Sequence, residues 1–576
     1  MKDALSQLVQ SVLKDLNLAD LTVTITPTDD PTHGDYATNI AFHAAKKLGK
    51  SPKEAALEIV AALEKANQGS FDKIEVAGPG FINFTLSKAV LLKNLSLEHK
   101  KLSSSSFSDR KVMIEFTDPN PFKEFHIGHL YSNIVGESIS RLLEAVGAEV
   151  KRVCYQGDVG LHVAKALYGM LAKMNAESLS LADLETKDLK ARAKFLGEAY
   201  ALGATAFEED ETAKAEIIAL NKAVYQKDES IMEMYTKGRQ WTLDYFETIY
   251  ARLGTKFWHY YFESEAGPIG LDLVKEYLGK GVFKESEGAV VFPGEDHGLH
   301  TRVFINSLGL PTYEAKELGL APTKYNDYAY DRSIIITGNE INEYFKVLLK
   351  ALSIIFPDLA AKTQHISHGM VRLPEGKMSS RTGNVKTGEW LLNEAVARAS
   401  EKIKEAKSED GGLTEEEKSQ VSEMVGVGAV KWALLRSGIG KDVEFSFDES
   451  VSFEGNSGPY LQYTYVRTRS VLSKAGEGAY KMNTSGLSLS SEERGLLVLL
   501  TQYSDIVLDA AEKYSPSTVT TYLFNLAQAY NYFYQKHQIL KEEGDTRVFR
   551  LMLTSKVGEV IKDGLDLLGI KTPERM

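Results

Sequence analysis

Lys111-Val-Met-Ile-Glu-Phe-Thr-Asp-Pro-Asn-Pro-Phe-Lys-Glu-Phe-His-Ile-Gly-His129 is the stretch whose reading decides the fold. A short apolar run from Lys111 to Phe116 stops at the turn formers Asp118, Pro119, Asn120 and Pro121, as a strand entering a loop does. His126-Ile-Gly-His129 follows, after which Ile134, Ile139, Leu142, Leu143 and Val146 recur at roughly helical spacing. Unpaired N–H groups at a helix start, a glycine that admits a flat ring and two imidazoles suit an anionic phosphate. Strand, loop and helix N-terminus in that order mark a nucleotide site. With 12 His and 45 Gly in 576 residues, chance yields one His-x-Gly-His in roughly one such chain in fifty.

The length allows three domains of ordinary size, and 43% hydrophobic with 25% charged residues describes a soluble globular protein. No apolar run is long enough for a membrane span. The first helix, with Leu5, Leu8, Val9, Val12, Leu13 and Leu16 on one face, lacks a secretory apolar core, and its aspartates argue against a transit peptide. A single cysteine, Cys154, excludes an intrachain disulfide and any multi-cysteine zinc site. A cytoplasmic location is expected. The net charge of −12 disfavours a polyanion partner only if charge is averaged over the chain; binding needs a local positive surface.

Outward from the deciding stretch, strands and helices alternate, which implies a parallel sheet covered by helices. Glu149 to Tyr155 reads as its second strand, and Val290 to Phe292, Arg302 to Ile305 and Ser333 to Ile336 as further ones. Such sheets bind ligands beyond the carboxyl ends of their strands, where Asn120 to His129 would lie. The expected fold is a multidomain α/β chain. It comprises an N-terminal α+β domain over 1–100, a Rossmann-like parallel-sheet domain over 109–395 with a helical insertion at about 165–285, and an all-helical domain over 396–576. Ser51-Pro-Lys-Glu54 has capping-box spacing, and Ser103 to Ser106 make a short serine-rich linker.

Two later segments carry chemistry. Lys377-Met-Ser-Ser-Arg381 is a cationic, small-residue loop able to bring charge to a transferring phosphoryl group. Tyr460, Tyr463 and Tyr465 interleave with Arg467 and Arg469, and Tyr530 to His537 repeats the pattern. Aromatic faces with cations suit unstacked RNA bases and phosphates, whereas aromatics at helical spacing also build cores.

Together these segments resemble a class I arginyl-tRNA synthetase along the whole chain. His126-Ile-Gly-His129 resembles the HIGH signature, Lys377-Met-Ser-Ser-Arg381 the KMSKS loop, and Glu115 to Asn120 the arginine-specific segment before HIGH. His33 to Asn39 and Gly78 to Phe84 resemble the family's tRNA-contacting N-terminal domain; Gly455 to Tyr463 and Leu568 to Met576 resemble its anticodon-binding domain. The resemblance implies an arginine–tRNA ligase using ATP with Mg²⁺ and acting as a monomer without a membrane. Its substrates would be L-arginine and the cognate tRNA.

By resemblance, catalysis falls to Lys123, His126, Gly128, His129, Lys377, Met378, Ser379 and Arg381. Glu115 and Asn120 would grip the amino-acid end of arginine, and Tyr313 with Glu317 its guanidinium, which needs carboxylate and oxygen acceptors. Tyr460, Gln462, Tyr463, Arg467 and Tyr534 would touch tRNA. No residue is assigned to a metal. Two departures stand out. Ser380 replaces the second lysine of KMSKS, a loss offset by Lys123 three residues before HIGH. Glu317 stands where aspartate is common, and Gly338-Asn-Glu-Ile341 lacks the glutamine expected near Ile341. Another class I synthetase, a small adenylyltransferase and a tRNA-binding module without catalysis are the alternatives. A zinc-bearing cysteinyl enzyme fails on the single cysteine.

Overall fold

The computed structural model describes residues 1–28, 30–95, 107–373, 386–405, 412–476 and 486–576. These fall into two compact units, one of 103–459 with 567–571 and one of 1–102 with 460–566 and 572–576. Ser103 to Ser106 and the loop Lys377 to Arg381 lie outside the described residues.

In the first unit the deciding stretch becomes strand β1 (Lys111–Glu115), and helix α1 (Ile127–Ala145) starts after His126. β2 (Glu149–Gln156) follows. A set of helices then includes α2 (Leu189–Glu209) and α3 (Glu229–Leu253). The chain re-enters the sheet as β3 (His259–Phe262) and passes directly into α4 (Glu263–Gly279). After α5 (Tyr313–Asp327) come β4 (Arg332–Gly338) and β5 (Thr363–His368). The five-stranded sheet has order β5-β4-β1-β2-β3 and every pairing is parallel. The chain leaves β1 toward β2 on one side and later returns to pair β4 on the other. The carboxyl end of β1 is therefore the topological switch point, where open α/β sheets bind ligands.

Two expected sheet members belong elsewhere. Ala289–Phe292 and Arg302–Ile305 join Lys284–Ser286 in a separate three-stranded antiparallel sheet. Ser286 pairs with Ala289 across Glu287 and Gly288, which both have positive φ (50° and 78°), the geometry of a tight hairpin turn. That turn commits the segment to antiparallel pairing; a short apolar run does not announce its partner. Two strands of the sheet are unrecognised in sequence: β3, only four residues long and behind a long helical stretch, and β5.

α1 is buried along most of its length because it crosses the sheet beneath other helices. Its far end is pinned within the same unit. Ser138 Oγ donates to the Leu567 carbonyl (3.2 Å), and the Lys431 ammonium donates to the carbonyls of Leu253 (2.6 Å) and Gly569 (2.5 Å).

The second unit pairs a four-stranded antiparallel sheet (Ile25–Pro27, Tyr36–Thr38, Phe81–Leu86, Phe71–Ala77) with long helices, among them Ser491–Glu512, Pro516–Lys536 and Gly544–Leu567. The Ser51/Glu54 capping box starts the helix Pro52–Ala66, whose N-terminal amides it satisfies. Arg494 makes a two-pronged ion pair to buried Asp35 (2.8 and 2.7 Å), and Asp35 also accepts the Leu86 N–H (2.7 Å). The α+β part and the helical part are thereby bolted together through one carboxylate.

Candidate active site

The loop between β1 and α1 is held in an uncommon shape. Thr117, Asp118 and Phe122 have φ of 82°, 45° and 66°, a region L-residues occupy at a cost of about 1–3 kcal/mol each. Buried hydrogen bonds over-determine it. Thr117 N–H donates to Ser132 Oγ (2.9 Å), and Asn133 donates to Thr117 Oγ1 (3.0 Å) while accepting from Thr255 (2.9 Å). Asp118 accepts the Tyr155 N–H (2.8 Å), and Phe122 N–H donates to Thr242 Oγ1 (3.2 Å). α1, β2 and α3 therefore all clamp the loop.

The loop delivers the two histidines as a reciprocal cap. His129 N–H donates to His126 Nδ1 and His126 N–H to His129 Nδ1, both at 3.3 Å, with the rings stacked 3.4 Å apart. A ring nitrogen that accepts from an amide carries no proton, so each neutral ring presents Nε2–H as its donor. Both rings are neutral at pH 7. His126 falls to about 4, chiefly through desolvation and then through the Lys123 charge, although its edge is open to solvent. His129 is buried and falls well below the usual imidazole range for the same reasons, with His126 adding to them. Of the amides expected to be unpaired at this helix start, that of His129 is taken by the cap, and the two expected imidazoles stand as neutral N–H donors. A Cβ on Gly128 would sit 3.0 Å from the His126 ring, so any larger residue disturbs the cap.

The positive charge comes from Lys123. It is half-buried and makes no ion pair among the described residues, with its ammonium 5.1 Å from the Tyr200 ring centroid. Burial and then the charge of Lys165 hold its pKa below the ordinary lysine value. Lys190 and Lys194 of α2 line the same cleft, facing Tyr245 and Glu389.

Beside this wall the ends of β1, β2 and β3 carry acids. Glu115 is buried and paired with Lys324 (2.6 Å); Glu263, the first residue of α4, is buried and paired with Lys316 (2.5 Å). Gly157 makes room between two acceptors, because a Cβ there would collide with Asn120 Oδ1 and approach Glu263 Oε1 to 3.2 Å. Lys316 and Lys324 both lie on α5, which also carries Tyr313 and Glu317. Tyr313 is largely exposed, with Lys316 over its ring at 5.1 Å. Burial, then the neighbouring charge of Glu115, pushes the Glu317 carboxyl well above its usual range, with Lys324 opposing. Asp118 is raised likewise, burial first and Glu115 second. Neither Asp118 nor Glu317 has an ion-pair partner among the described residues. The pocket is short of positive charge and suits a cationic ligand with several N–H donors.

The structure therefore brings together Glu115, Asn120, Lys123, His126, Gly128, His129 and Glu317 around the switch point, with Tyr313 at the rim. Lys377, Met378, Ser379 and Arg381 lie outside the described residues. Ile341 is exposed on a short turn after β4. Sequence reading missed Glu263 and Lys316. It also missed Asp158, which is fully buried and accepts from Ser264, Tyr235 and Arg239 (2.7–2.9 Å). Only the Gly157-Asp-Val-Gly160 turn after a strand hinted at the last of these.

In the second unit Arg467 is stacked between Tyr463 (4.9 Å) and Tyr534 (5.1 Å), both substantially exposed. Asn531 holds the arrangement, accepting from Arg467 (2.5 Å) and donating to the Tyr460 hydroxyl (2.9 Å). Gln462 is fully buried, so its side chain is out of reach of the tRNA contact expected of it. Tyr465 and Tyr530 are likewise core residues, as aromatics at helical spacing often are.

Family models match along the chain. "tRNA synthetases class I (R), catalytic domain" covers residues 91–447, "DALR anticodon binding domain" 461–576 and "Arginyl tRNA synthetase N terminal domain" 2–86. The arginine–tRNA ligase of Bacteroides thetaiotaomicron is 32% identical over 563 residues, 94% of each chain. That of Halothermothrix orenii is 30% identical over 580 residues, covering 100% of this chain and 99% of its own. Among solved structures, Thermus thermophilus arginyl-tRNA synthetase superposes with a TM-score of 0.81 at 25% identity, covering all of both chains.

Proposed function

The chain belongs to the class I arginyl-tRNA synthetases, and from that premise we propose how its own residues carry out arginine–tRNA ligation. The arginine carboxylate attacks the ATP α-phosphate, pyrophosphate leaves, and a terminal ribose hydroxyl of the tRNA then takes the arginyl group from the adenylate. Charge builds on the leaving phosphates, so catalysis is positioning and electrostatics. The observation that carries this reading is the meeting, at one switch point, of a histidine-capped helix start and an acid-rich pocket.

In this reading the Nε2–H groups of His126 and His129 donate to phosphate oxygens, and Gly128 leaves the flat approach that adenine needs. Lys123 supplies the cation that Ser380 does not, with Lys377, Met378, Ser379 and Arg381 forming the loop opposite. Glu115 and Asn120 take the α-amino and carboxylate end of arginine; Tyr313, Glu317 and the buried Glu263 take the guanidinium. Mg²⁺ would be held by the phosphates of ATP and by waters. Tyr460, Tyr463, Arg467 and Tyr534 would stack on and pair with tRNA. The boundaries 1–100, 109–395 and 396–576, a monomeric state and a cytoplasmic location complete the reading; no described helix is long and apolar enough to cross a membrane.

The test is aminoacylation of total tRNA with ATP, Mg²⁺ and each labelled amino acid in turn, run for wild type and Lys123→Ala. Label should appear with arginine alone, and kcat should fall about a hundredfold in the variant. Charging with no amino acid while tRNA still binds would leave only a tRNA-binding module. Undiminished charging by the variant would move the compensating charge to Lys377 or Arg381.

A further inference from the structure

Tyr155 lies on the middle of the three strand ends that form the pocket. In register, Glu115 of β1 pairs with Val153 of β2, and Tyr155 of β2 pairs with Tyr261 of β3. Side chains alternate along a strand, so Met113 and Glu115, Val153 and Tyr155, and Tyr261 project to one side, and Glu263 follows Tyr261 by one period. Met113, Val153, Tyr155 and Tyr261 indeed share one apolar cluster with Leu320 of α5. α5 crosses that face. Lys316 reaches Glu263 beyond β3 and Lys324 reaches Glu115 on β1, a span of about 12 Å along a helix. Leu320 and Glu317 fall between them, over β2.

The Tyr155 side chain is buried, yet its hydroxyl makes no hydrogen bond. Its electrostatic neighbours are the carboxylates of Glu263, Glu317 and Glu115 and the Tyr344 hydroxyl. A buried polar group without a partner costs about 1–3 kcal/mol, so such groups are rare unless a ligand or water completes them. The ring is fixed by packing on Leu320 and the backbone by the Tyr155 N–H bond to Asp118. The hydroxyl therefore cannot swing away to find another partner.

We propose that the Tyr155 hydroxyl is a direct contact for the arginine side chain: its oxygen accepts a guanidinium N–H beside Glu317, and its hydrogen turns to a neighbouring carboxylate. This rests on the arginine-ligase reading and adds a specificity-determining residue to it. Arginine, with a planar fork of donors, reaches Glu317 and Tyr155 together; a lysine ammonium is a point charge on a shorter donor set. A site built to satisfy substrate N–H groups rejects molecules that leave its acceptors unpaired.

Tyr155→Phe removes one oxygen and keeps the packing ring. In aminoacylation with arginine as the varied substrate, KM for arginine should rise about tenfold, the loss of one hydrogen bond to a charged group. KM for ATP should stay at its wild-type value, and the thermal midpoint of the arginine-free protein should hold or rise, because the change also removes an unpartnered buried hydroxyl. Tyr250→Phe deletes another buried hydroxyl, this one beside the Cys154 thiol, and should leave arginine KM unchanged. An unchanged arginine KM in Tyr155→Phe overturns the inference, as does a parallel loss of midpoint, ATP binding and kcat, the mark of a merely structural tyrosine. A wild type that charges no arginine defeats the functional reading itself, a separate outcome visible in the same assay.

Discussion

In the proposed arginine pocket, Glu317 would couple substrate binding to protons. Its carboxyl is held well above the ordinary range by burial and by Glu115, so in the free protein it keeps a proton to higher pH than a solvated glutamate does. A guanidinium favours the carboxylate, so arginine must displace that proton to bind well. The sign follows: KM for arginine falls as pH rises toward the raised pKa and levels above it. Glu317→Gln should raise KM at least about tenfold and flatten much of this dependence, the remainder belonging to Asp118, which is raised likewise. Steady-state aminoacylation across pH measures both, and a pH-independent wild-type KM would refute the coupling. At this scale the sequence was readable where residues lie together. Glu115, Asn120, Lys123, His126 and His129 occur within one loop and its flanks, whereas Glu263, Lys316 and Tyr155 meet them only through strand register and the path of α5.

The β1–α1 loop is an element whose shape is imposed from outside. Thr117 at φ 82° is held by Asn133, which is fully buried and ties two threonine hydroxyls at once. Asn133→Ala should lower stability by about 2–4 kcal/mol, two buried hydroxyls each losing a partner, and should lower kcat with it as the histidine cap loses its fixed approach. Urea unfolding monitored beside single-turnover adenylation would register the two losses. A variant with full activity and lowered stability would show that the strained loop holds its form without this anchor. Turn formers announced that a loop exists; they did not announce its left-handed residues, since neither Thr nor Phe favours such φ. The antiparallel placement of Ala289–Phe292 was hidden in a similar way, its hairpin turn being Glu-Gly rather than a stronger signal such as Asn-Gly.

Across the whole molecule, burial of uncharged imidazoles sets a limit in acid. Desolvation lowers His126 and His365 to about 4 and His162 to about 3. Unfolded histidines titrate near about 6.5, so between that value and about 4 the unfolded chain binds protons that the folded chain does not. Stability present above pH 6.5 is therefore lost progressively as pH falls through this window. Calorimetry should show the unfolding temperature dropping from pH 6.5 to 4, with a gentler slope in His162→Gln, whose amide can keep the bond to the Gly157 carbonyl made at 2.7 Å. An unaltered slope in that variant would remove His162 from the account. Domain order was legible from alternation and linkers because those signals are local. The membership of residues 567–571 in the catalytic unit was not, because it depends on a return of the chain. That return has a consequence for synthesis. The carbonyl of Leu567 bonds to Ser138 across 429 positions, on the very helix that starts with the histidine cap. A ribosome that has already released the whole parallel sheet has not yet made the piece that seals the back of that helix. The proposed nucleotide site is then not finished when its own sheet has emerged, although emerging chains commonly fold domain by domain, and a message truncated shortly before residue 567 would yield a chain with every proposed site residue present and its central helix unlatched at that bond.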